Sequence, residues 1–301
     1  MLAGVCFILP AALITLCIAW AYVRYGHLSQ LGGILYGIKP VVIAIVVQAI
    51  WNLGRAAVKG RIHLAVGLAA LAAAALTGRT VSVLLASGIL MCLCYAVETR
   101  LFNRGMPAIA VPWCLLRITP AAAITAISSV SIFLVFLKIG AIVFGSGYVL
   151  LAFLKADLVD QRHWLTSAQL IDAVAVGQVT PGPVFTTATF IGYLLGGITG
   201  AALATVGIFL PGFLLVAASG PLIPRLRRSA LAGKFLDGVN LAALALMAVV
   251  TWQLGRASIH DLLTGVLAIT SAVLLIRFRV ASYWLILFGA VAGLTVRAVG
   301  I

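Results

Sequence analysis

The chain has 301 residues, of which 64% are hydrophobic and 9% are charged; this composition excludes a water-soluble enzyme or binding domain, because a soluble protein of this size cannot bury so much apolar surface. The medium that surrounds it must therefore be a lipid bilayer. Twenty Lys and Arg against six Asp and Glu give a net charge of +14, but these cations are scattered between apolar runs, which is typical of membrane topology signals and not of a nucleic-acid-binding surface.

Apolar runs in the first part of the chain predict helices near residues 3–23, 34–53, 62–77 and 80–97, and a polar, proline-containing connector follows at 98–121. The second part is predicted to contain a long helix near 122–154, an interfacial segment at 155–167, a broken hairpin at 168–196, and helices near 199–219, 234–255, 261–276 and 280–297. The predicted fold class is an all-α polytopic membrane protein with about nine spans. The broken hairpin is re-entrant if it turns back within the bilayer.

An internal repeat relates the two parts of the chain. Residues 2–57 align without a gap on 203–258, and sixteen of the 56 aligned positions are identical. The shared pattern Trp-x-Leu-Gly-Arg-Ala begins at Trp51 and again at Trp252, at the same offset as the rest of the alignment. We therefore predict two homologous repeats.

The loops of the two repeats carry opposite charge bias. Segment 24–33 has one cation where its partner 225–234 has four, and segment 55–61 has three where 256–262 has one. Because cationic loops stay in the cytoplasm, the two repeats are predicted to be inverted in the membrane, an arrangement common in secondary transporters. The cytoplasmic loops are then those that contain Arg55, Lys59, Arg61, Arg100, Arg104, Arg225, Arg227, Arg228, Lys234, Arg277 and Arg279.

The two repeats are unequal in length. Residues 1–97 form a first repeat that is expected to be N-terminally incomplete, residues 98–121 form the connector, and residues 122–301 form a complete second repeat. The stretch 133–202 of the second repeat has no counterpart before Met1.

The segment Thr180-Pro181-Gly182-Pro183 must interrupt any helix, since proline lacks a backbone donor and glycine permits unusual backbone angles. Irregular backbone at membrane depth is tolerated where protein buries it or water reaches it. A new helix beginning near Pro183 would direct free N–H groups at the break and could bind a tetrahedral oxyanion there. The alternative is a structural proline kink. The predicted substrate-binding residues of this segment are Gln178, Thr180, Pro181, Gly182, Pro183, Thr186 and Thr187.

A second break is predicted at Phe144-Gly145-Ser146-Gly147-Tyr148, within an otherwise apolar run. Gly145, Ser146 and Gly147 could open backbone amides to an anion, or they could serve a close helix crossing.

Ionisable residues inside apolar runs are costly and are usually functional. Asp172 precedes the broken hairpin, where it could carry a coupling proton or pair locally. Lys39 precedes Pro40, which is expected to break the helix, and Lys39 has no charged counterpart in the second repeat. Arg55 and Arg256 occur once in each repeat and are candidates for interface anchors or for paired gates.

Lys138 is a further cation within an apolar run. It is predicted to neutralise a bound anion, or else to extend to the membrane interface. The charged residues that follow at 155–162 are expected to form a solvated rim.

Nothing in the sequence supports catalysis. The zinc-protease, nucleophile-elbow and P-loop motifs are absent, and the histidines and five cysteines do not have the spacing of metal ligands. We therefore expect no enzyme activity, no cofactor and no metal.

Six ordered motifs in the chain resemble those of a known family. They are Phe-Leu-Lys-Ile-Gly at 136–140, Phe-Gly-Ser-Gly-Tyr-Val at 144–149, Asp-Leu-Val at 157–159, Trp-Leu-Thr at 164–166, Val-Gly-Gln-Val-Thr-Pro-Gly-Pro at 176–183 and Ile-Phe-Leu-Pro at 208–211. Together they resemble the chromate ion transporter (CHR) family, in its long two-repeat form without roughly its first 70 to 90 residues.

The resemblance implies an inner-membrane, multi-pass transporter whose substrate is chromate, with sulfate as a structural analogue. It implies chromate efflux that gives chromate resistance. The alternatives are a sulfate or other oxyanion permease, and a shortened membrane subunit that does not itself transport. The expected partners are the substrate and the lipid bilayer, with a homo-oligomer left open and no nucleic acid.

Overall fold

The structure is a computed structural model, and it describes residues 2–25, 29–77, 80–102, 127–143, 147–219 and 229–298. All regular elements in these residues are helical. The α-helices are α1 (Leu2–Tyr25), α2 (Ser29–Ala57), α3 (Arg61–Thr77), α4 (Thr80–Phe102), α5 (Ser129–Ile142), α6 (Leu150–Leu154), α7 (Ser167–Val179), α8 (Thr187–Ser219), α9 (Ala230–Ser258), α10 (Leu262–Arg277) and α11 (Ser282–Ala298).

The prediction of one long helix near 122–154 is wrong. Helix α5 ends at Ile142, and Val143 is its extended C-cap. The next described segment begins with a short 3₁₀ turn, Gly147–Val149, that leads into α6. Helix α6 continues as a π-helical turn, Lys155–Gln161, whose first four residues are buried. The segment is therefore not a solvated rim at Lys155 and Asp157, which are only 8% and 4% exposed.

Helix α2 runs without interruption through Pro40, so the expected break at Lys39-Pro40 is wrong. A proline within a membrane helix is tolerated when neighbouring groups satisfy the freed carbonyl. Helix α4 extends to Phe102, into the predicted connector; residues 103–126 lie outside the described residues.

The predicted hairpin at 168–196 consists of α7, a break at Thr180–Pro183, a 3₁₀ turn at Val184–Thr186 and the first part of α8. Helix α8 folds back on itself at Gly196 and Gly197, and the latter has a φ of +61°. Thr189 and Thr205 join the two arms through their hydroxyls at 2.8 Å. The arm before the turn has about nine residues, or roughly 14 Å, which is too short to cross a bilayer.

The bounds of the helices repeat at the same offset as the sequence. Helix α9 begins and ends 201 residues after α2, while α10 and α11 correspond to α3 and α4. Gly37 of α2 lies directly against Gly289 of α11, and its counterpart Gly238 of α9 lies against Gly88 of α4. Each central helix therefore packs against the outer helices of the other repeat.

Helices α2 and α9 meet in the middle of the molecule and run antiparallel. Ile43 lies against Gly255, while Leu244 lies against Gly54. Both helices are buried along their centres, at Val41–Val46 and at 241–247 with the exception of Leu244. They form the core on which the hairpin rests.

Large apolar side chains cover much of the outer surface. Leu76 is 85% exposed, Ile198 is 69% exposed and Val216 is 68% exposed. Such a surface is stable against lipid and not against water. Within the described part of the chain, five helical segments are long and apolar enough to cross a membrane, namely Ala3–Tyr25, Gly32–Ala57, Thr80–Glu98, Val184–Ser219 and Ala230–Ser258.

Candidate functional site

The break at Thr180–Pro183 is stabilised by local chemistry. Helix α7 begins with a capping box between Thr166 and Gln169 and ends when Thr180 adopts an extended conformation. Gly182 has a φ of +137°, a conformation that side chains other than glycine rarely adopt. Pro183 is the N-cap of the 3₁₀ turn Val184–Thr186. Helical structure therefore begins one residue after Pro183, near which the sequence predicted a new helix to start.

This break lies at the depth of the middle of α1. Helix α1 has 24 residues, about 36 Å at 1.5 Å per residue. Ala11 and Thr15, near its midpoint, contact Gly182 and Thr180 respectively, the latter with 3.4 Å between the hydroxyl oxygens. The irregular backbone therefore contacts protein halfway along a membrane-length helix, with Thr180 buried and with Pro181 and Gly182 exposed.

The two predicted breaks meet each other in space. Val184 and Phe185 lie against Gly147, within 3.5–3.7 Å of where a Cβ would stand on that glycine. A small cavity of about 10 Å³ lies at this junction, and we call it the central cavity. It is lined by Val46, Gly147, Tyr148, Leu150, Leu151, Leu154, Val174, Gln178, Val184 and Thr187.

Three predicted substrate-binding residues, Gly147, Gln178 and Thr187, line the central cavity together. Its volume is enough for about one water molecule and not for a tetrahedral oxyanion. The amide nitrogen of Gln178 is buried, and this side chain interacts with the hydroxyl of Tyr148, which lines the same cavity. Gly145 and Ser146 lie outside the described residues.

The threonine hydroxyls of the hairpin donate to their own backbone. Thr180 donates to the carbonyl of Val176 at 2.8 Å, Thr186 to that of Pro183 at 2.9 Å, and Thr187 to that of Val184 at 2.7 Å. A hydroxyl has one proton to donate, so in this conformation these groups stabilise the break and do not donate into the cavity.

A buried charge cluster joins α1, α2 and α7. Asp172 is 3% exposed, its Oδ2 accepts a hydrogen bond from the hydroxyl of Tyr22 at 3.0 Å, and the Nζ of Lys39 lies 3.4 Å from its Oδ1. The ring of Tyr22 packs edge-on against Phe190 with 5.2 Å between ring centroids. We call Tyr22, Lys39 and Asp172 the Asp172 cluster. It brings together two residues that the sequence proposed separately for coupling.

Lys138 is held by a different carboxylate. Its Nζ donates to both oxygens of Asp157, at 3.0 and 2.8 Å, and Arg162 Nε lies 3.8 Å from the same carboxylate. The guanidinium of Arg162 stacks on Trp164 at 5.1 Å. Lys138 is thus paired with a buried acid and does not line the central cavity.

Arg55 and Arg256 are both exposed, and neither lines the central cavity. Arg256 stacks on Trp252 with 5.1 Å to the ring centroid. Among the described residues, no group of three or more His, Cys, Asp or Glu is arranged to hold a metal ion.

The model of the family described as Chromate transporter matches residues 1–95 and 130–294. The chain belongs to the chromate transporter family. A chromate transport protein of Cupriavidus metallidurans is 34% identical over 300 residues, covering 96% of this chain and 73% of that protein. A probable chromate transport protein of Synechococcus elongatus is 34% identical, covering 90% of this chain and 70% of that protein.

A third relative in the chromate transporter family, a chromate transport protein of Pseudomonas aeruginosa, is 30% identical over 267 residues, covering 85% of this chain and 64% of that protein. No solved structure matches the chain.

The sequence analysis did not identify two tyrosines as candidate site residues. Tyr22 completes the Asp172 cluster, and Tyr148 lines the central cavity. A tyrosine in an apolar run gives little warning of such a role, because its ring is itself apolar and its hydroxyl finds a partner through tertiary packing.

Proposed function

We propose that the protein carries chromate across the membrane, with the central cavity as the place where the anion is bound. The observation that carries the proposal is the meeting of two backbone breaks beside the middle of α1 in a member of the chromate transporter family. The buried amide of Gln178, which the hydroxyl of Tyr148 neighbours in the cavity, offers a donor there, and Gly147 lets the backbone approach closely. The neighbouring residues of the breaks, from Gly145 to Gly147 and from Thr180 to Pro183 with Thr186 and Thr187, complete the proposed site.

The cavity must widen for transport, because it now holds about one water molecule. The hairpin has the features needed for such a movement. Its helices are short and its breaks contain glycine. The hydroxyls of Thr186 and Thr187 are bonded to nearby carbonyls, which they can exchange for an anion.

The repeats are proposed to cross the membrane in opposite directions, with about nine spans in total. Four shorter apolar helices, Arg61–Thr77, Ser129–Ile142, Leu262–Arg277 and Ser282–Val296, would join the longer ones in this count. The antiparallel packing of α2 and α9 supports the inversion. So do the contacts Lys59–Asp237 and Tyr36–Asp261, each of which joins two segments that the charge bias places on one side.

We propose the inner membrane as the location and efflux as the direction. One charge moved through 100 mV gains or loses about 2.3 kcal/mol, so a dianion leaving an inside-negative cell gains about 4.6 kcal/mol per 100 mV. Export then needs a path and a site, and chromate resistance follows from it.

The Asp172 cluster is proposed to couple or gate this movement. Lys39 lies seven residues before Val46 on α2, about 10 Å and two helical turns away on the same face. A proton on Asp172 would release Lys39 to balance an anion in the central cavity. Lys138, Arg55 and Arg256 are kept as further candidates for attracting the anion or for gating.

The test is uptake of chromate by inside-out membrane vesicles, in which efflux appears as accumulation. We expect vesicles with the protein to accumulate chromate above vesicles without it, and sulfate to compete less well than unlabelled chromate. Stronger competition by sulfate would favour a sulfate permease instead. If Lys138→Ala and Thr187→Val both leave uptake unchanged, these two residues do not belong to the site.

A further inference from the structure

A second, larger cavity lies between α2 and α9. Its volume is about 320 Å³, and we call it the vestibule. It is lined by Leu53, Ala56, Ala57, Lys59, Val149, Asp237, Asn240, Ala243, Leu244 and Met247.

The polar residues of the vestibule gather at one end. Lys59 Nζ lies 3.1 Å from Asp237 Oδ1, and His63 Nε2 lies 3.8 Å from Asp237 Oδ2. The side chain of Lys59 is 60% exposed, whereas that of Asp237 is 24% exposed. Asn240 adds an exposed amide. The charge bias of the loops places this end of the vestibule at the cytoplasmic face.

The other end of the vestibule approaches the central cavity. Val149 lines the vestibule, while the preceding residue, Tyr148, lines the central cavity. On α2, Leu53 of the vestibule lies seven residues from Val46 of the central cavity, about 10 Å. The vestibule therefore leads from the cytoplasmic end toward the two breaks.

We propose that the vestibule is the cytoplasmic entrance for the oxyanion, and that Lys59 is the first cation it binds, in exchange for Asp237. This inference rests on the proposed function. A cavity of this size admits a tetrahedral dianion with part of its hydration water. The Lys59–Asp237 pair is exposed enough to be weak, so an incoming dianion can replace the carboxylate at little cost. Before the anion arrives, Asp237 holds the ammonium group of Lys59 at the cytoplasmic end of the vestibule.

The first experiment measures the initial rate of chromate uptake by inside-out vesicles over a range of chromate concentrations. We expect Lys59→Gln to raise the half-saturating concentration about tenfold at an unchanged maximal rate, because it removes a charge-assisted contact made on entering. Asp237→Asn should lower that concentration, since the competing carboxylate is gone.

Lys234→Gln is the matched control. Lys234 belongs to the same cytoplasmic end and lies over the ring of Tyr95 at 5.6 Å, but it does not line the vestibule. Lys234→Gln changes the net charge by the same amount as Lys59→Gln, but it should leave the half-saturating chromate concentration near that of the wild type. Equal values for Lys59→Gln and Lys234→Gln would overturn the proposal.

A second experiment needs no chromate, and it separates this inference from the proposed function. The five cysteines are replaced by alanine, and Ala56→Cys is reacted from the cytoplasmic side with small anionic and cationic thiol reagents. We expect Lys59→Gln to lower the ratio of anionic to cationic reaction rates several-fold at this position. Leu231→Cys, exposed on α9 outside the vestibule, should show a much smaller change.

Vesicles that take up no chromate would contradict the proposed function, and the reagent ratio would still decide whether the vestibule attracts anions. A ratio at Ala56→Cys that Lys59→Gln does not change would overturn the vestibule as an anion entrance, whatever the chromate uptake.

Discussion

In the central cavity, the buried amide of Gln178 lies beside the hydroxyl of Tyr148, a neutral partner. A hydrogen bond to a charged group is stronger than one to a neutral group, so an anion can replace this partner. The hydroxyls of Thr186 and Thr187, by contrast, already donate to carbonyls. At the residue scale, Gln178 is therefore the donor of this site that is ready for an anion.

Replacing Gln178 by leucine keeps the approximate size of the side chain and removes the donor. We expect Gln178→Leu to lower chromate uptake at low concentration by about tenfold or more, because a hydrogen bond to a charged group contributes about 1.5–3 kcal/mol. Stability should be unchanged or slightly higher. Gln253→Leu, at an exposed position of α9, is the control for the loss of an amide. Equal uptake by the two variants would remove Gln178 from the site.

The Asp172 cluster allows a charge-pair test. Lys39→Met leaves the buried carboxylate of Asp172 without its cation and should lower the free energy of unfolding by about 3 kcal/mol. The double variant Lys39→Met/Asp172→Leu should recover much of this loss, since no unpaired charge remains. We expect the chromate uptake of the double variant to stay low. Uptake is measured in vesicles, and stability is measured by thermal unfolding of the purified protein. Recovery of both stability and uptake would show that the pair is only structural.

The sequence was sufficient to single out Lys39 and Asp172, because charged residues inside apolar runs are energetically costly and are usually functional. It did not reveal that Asp172 pairs with Lys39 and with Tyr22, since Asp172 is more than a hundred positions from both and only tertiary packing joins them. The same limit applies to Lys138, for which the sequence left a bound anion and the membrane interface as alternatives, and which pairs with Asp157 in the structure. The hydroxyl partners of the threonines depend on local backbone geometry that composition does not encode.

At the scale of elements, hydropathy was enough to locate most helices, and proline with glycine located the break at Thr180–Pro183. The prediction of a long helix at 122–154 was wrong because hydropathy stays high beyond the end of α5 at Ile142. Only the glycines of the second predicted break, at 144–148, indicated that the helix ends there. At Pro40 the opposite error was made, because a break was predicted where α2 continues through the proline.

Two glycine crossings fix how the central helices pack. A Cβ at Gly37 would overlap the backbone of Gly289, and a Cβ at Gly238 would overlap that of α4 at Ser87 and Gly88. These are backbone contacts, so no side chain can turn away to make room. The helices must therefore separate if either glycine is enlarged.

We expect Gly37→Ala and Gly238→Ala each to lower the free energy of unfolding by about 2 kcal/mol or more, since overpacking of this kind forces a backbone shift. Gly212→Ala is the control, because a Cβ there meets nothing within 4 Å and alanine favours the helix. Thermal unfolding in detergent measures the difference. A Gly37→Ala protein as stable as Gly212→Ala would mean that α2 and α11 are not in close contact.

At the scale of the whole molecule, two independent features can be compared, namely the charge bias of the loops and the contacts between the ends of the central helices. The charge bias of the loops assigns each end of α2 and α9 to a side of the membrane, and the contacts join ends assigned to the same side. Lys59 meets Asp237 at one face, and Tyr36 meets Asp261 at the other. Chain order alone did not require this agreement, since either helix could have packed elsewhere.

Val58 and Ile259 occupy equivalent positions at the ends of α2 and α9 and have similar exposure, 39% and 37%. If the repeats are inverted, Val58→Cys should react with a membrane-impermeant thiol reagent only from the cytoplasmic side, and Ile259→Cys only from the outer side. Labelling of right-side-out and inside-out vesicles of the cysteine-free protein measures both. Because the two positions match in sequence and exposure, a difference in labelling reports sidedness and not local packing. Reaction of both from the same side would require the two repeats to run in parallel, and the antiparallel contact between α2 and α9 could then not belong to membrane-spanning helices.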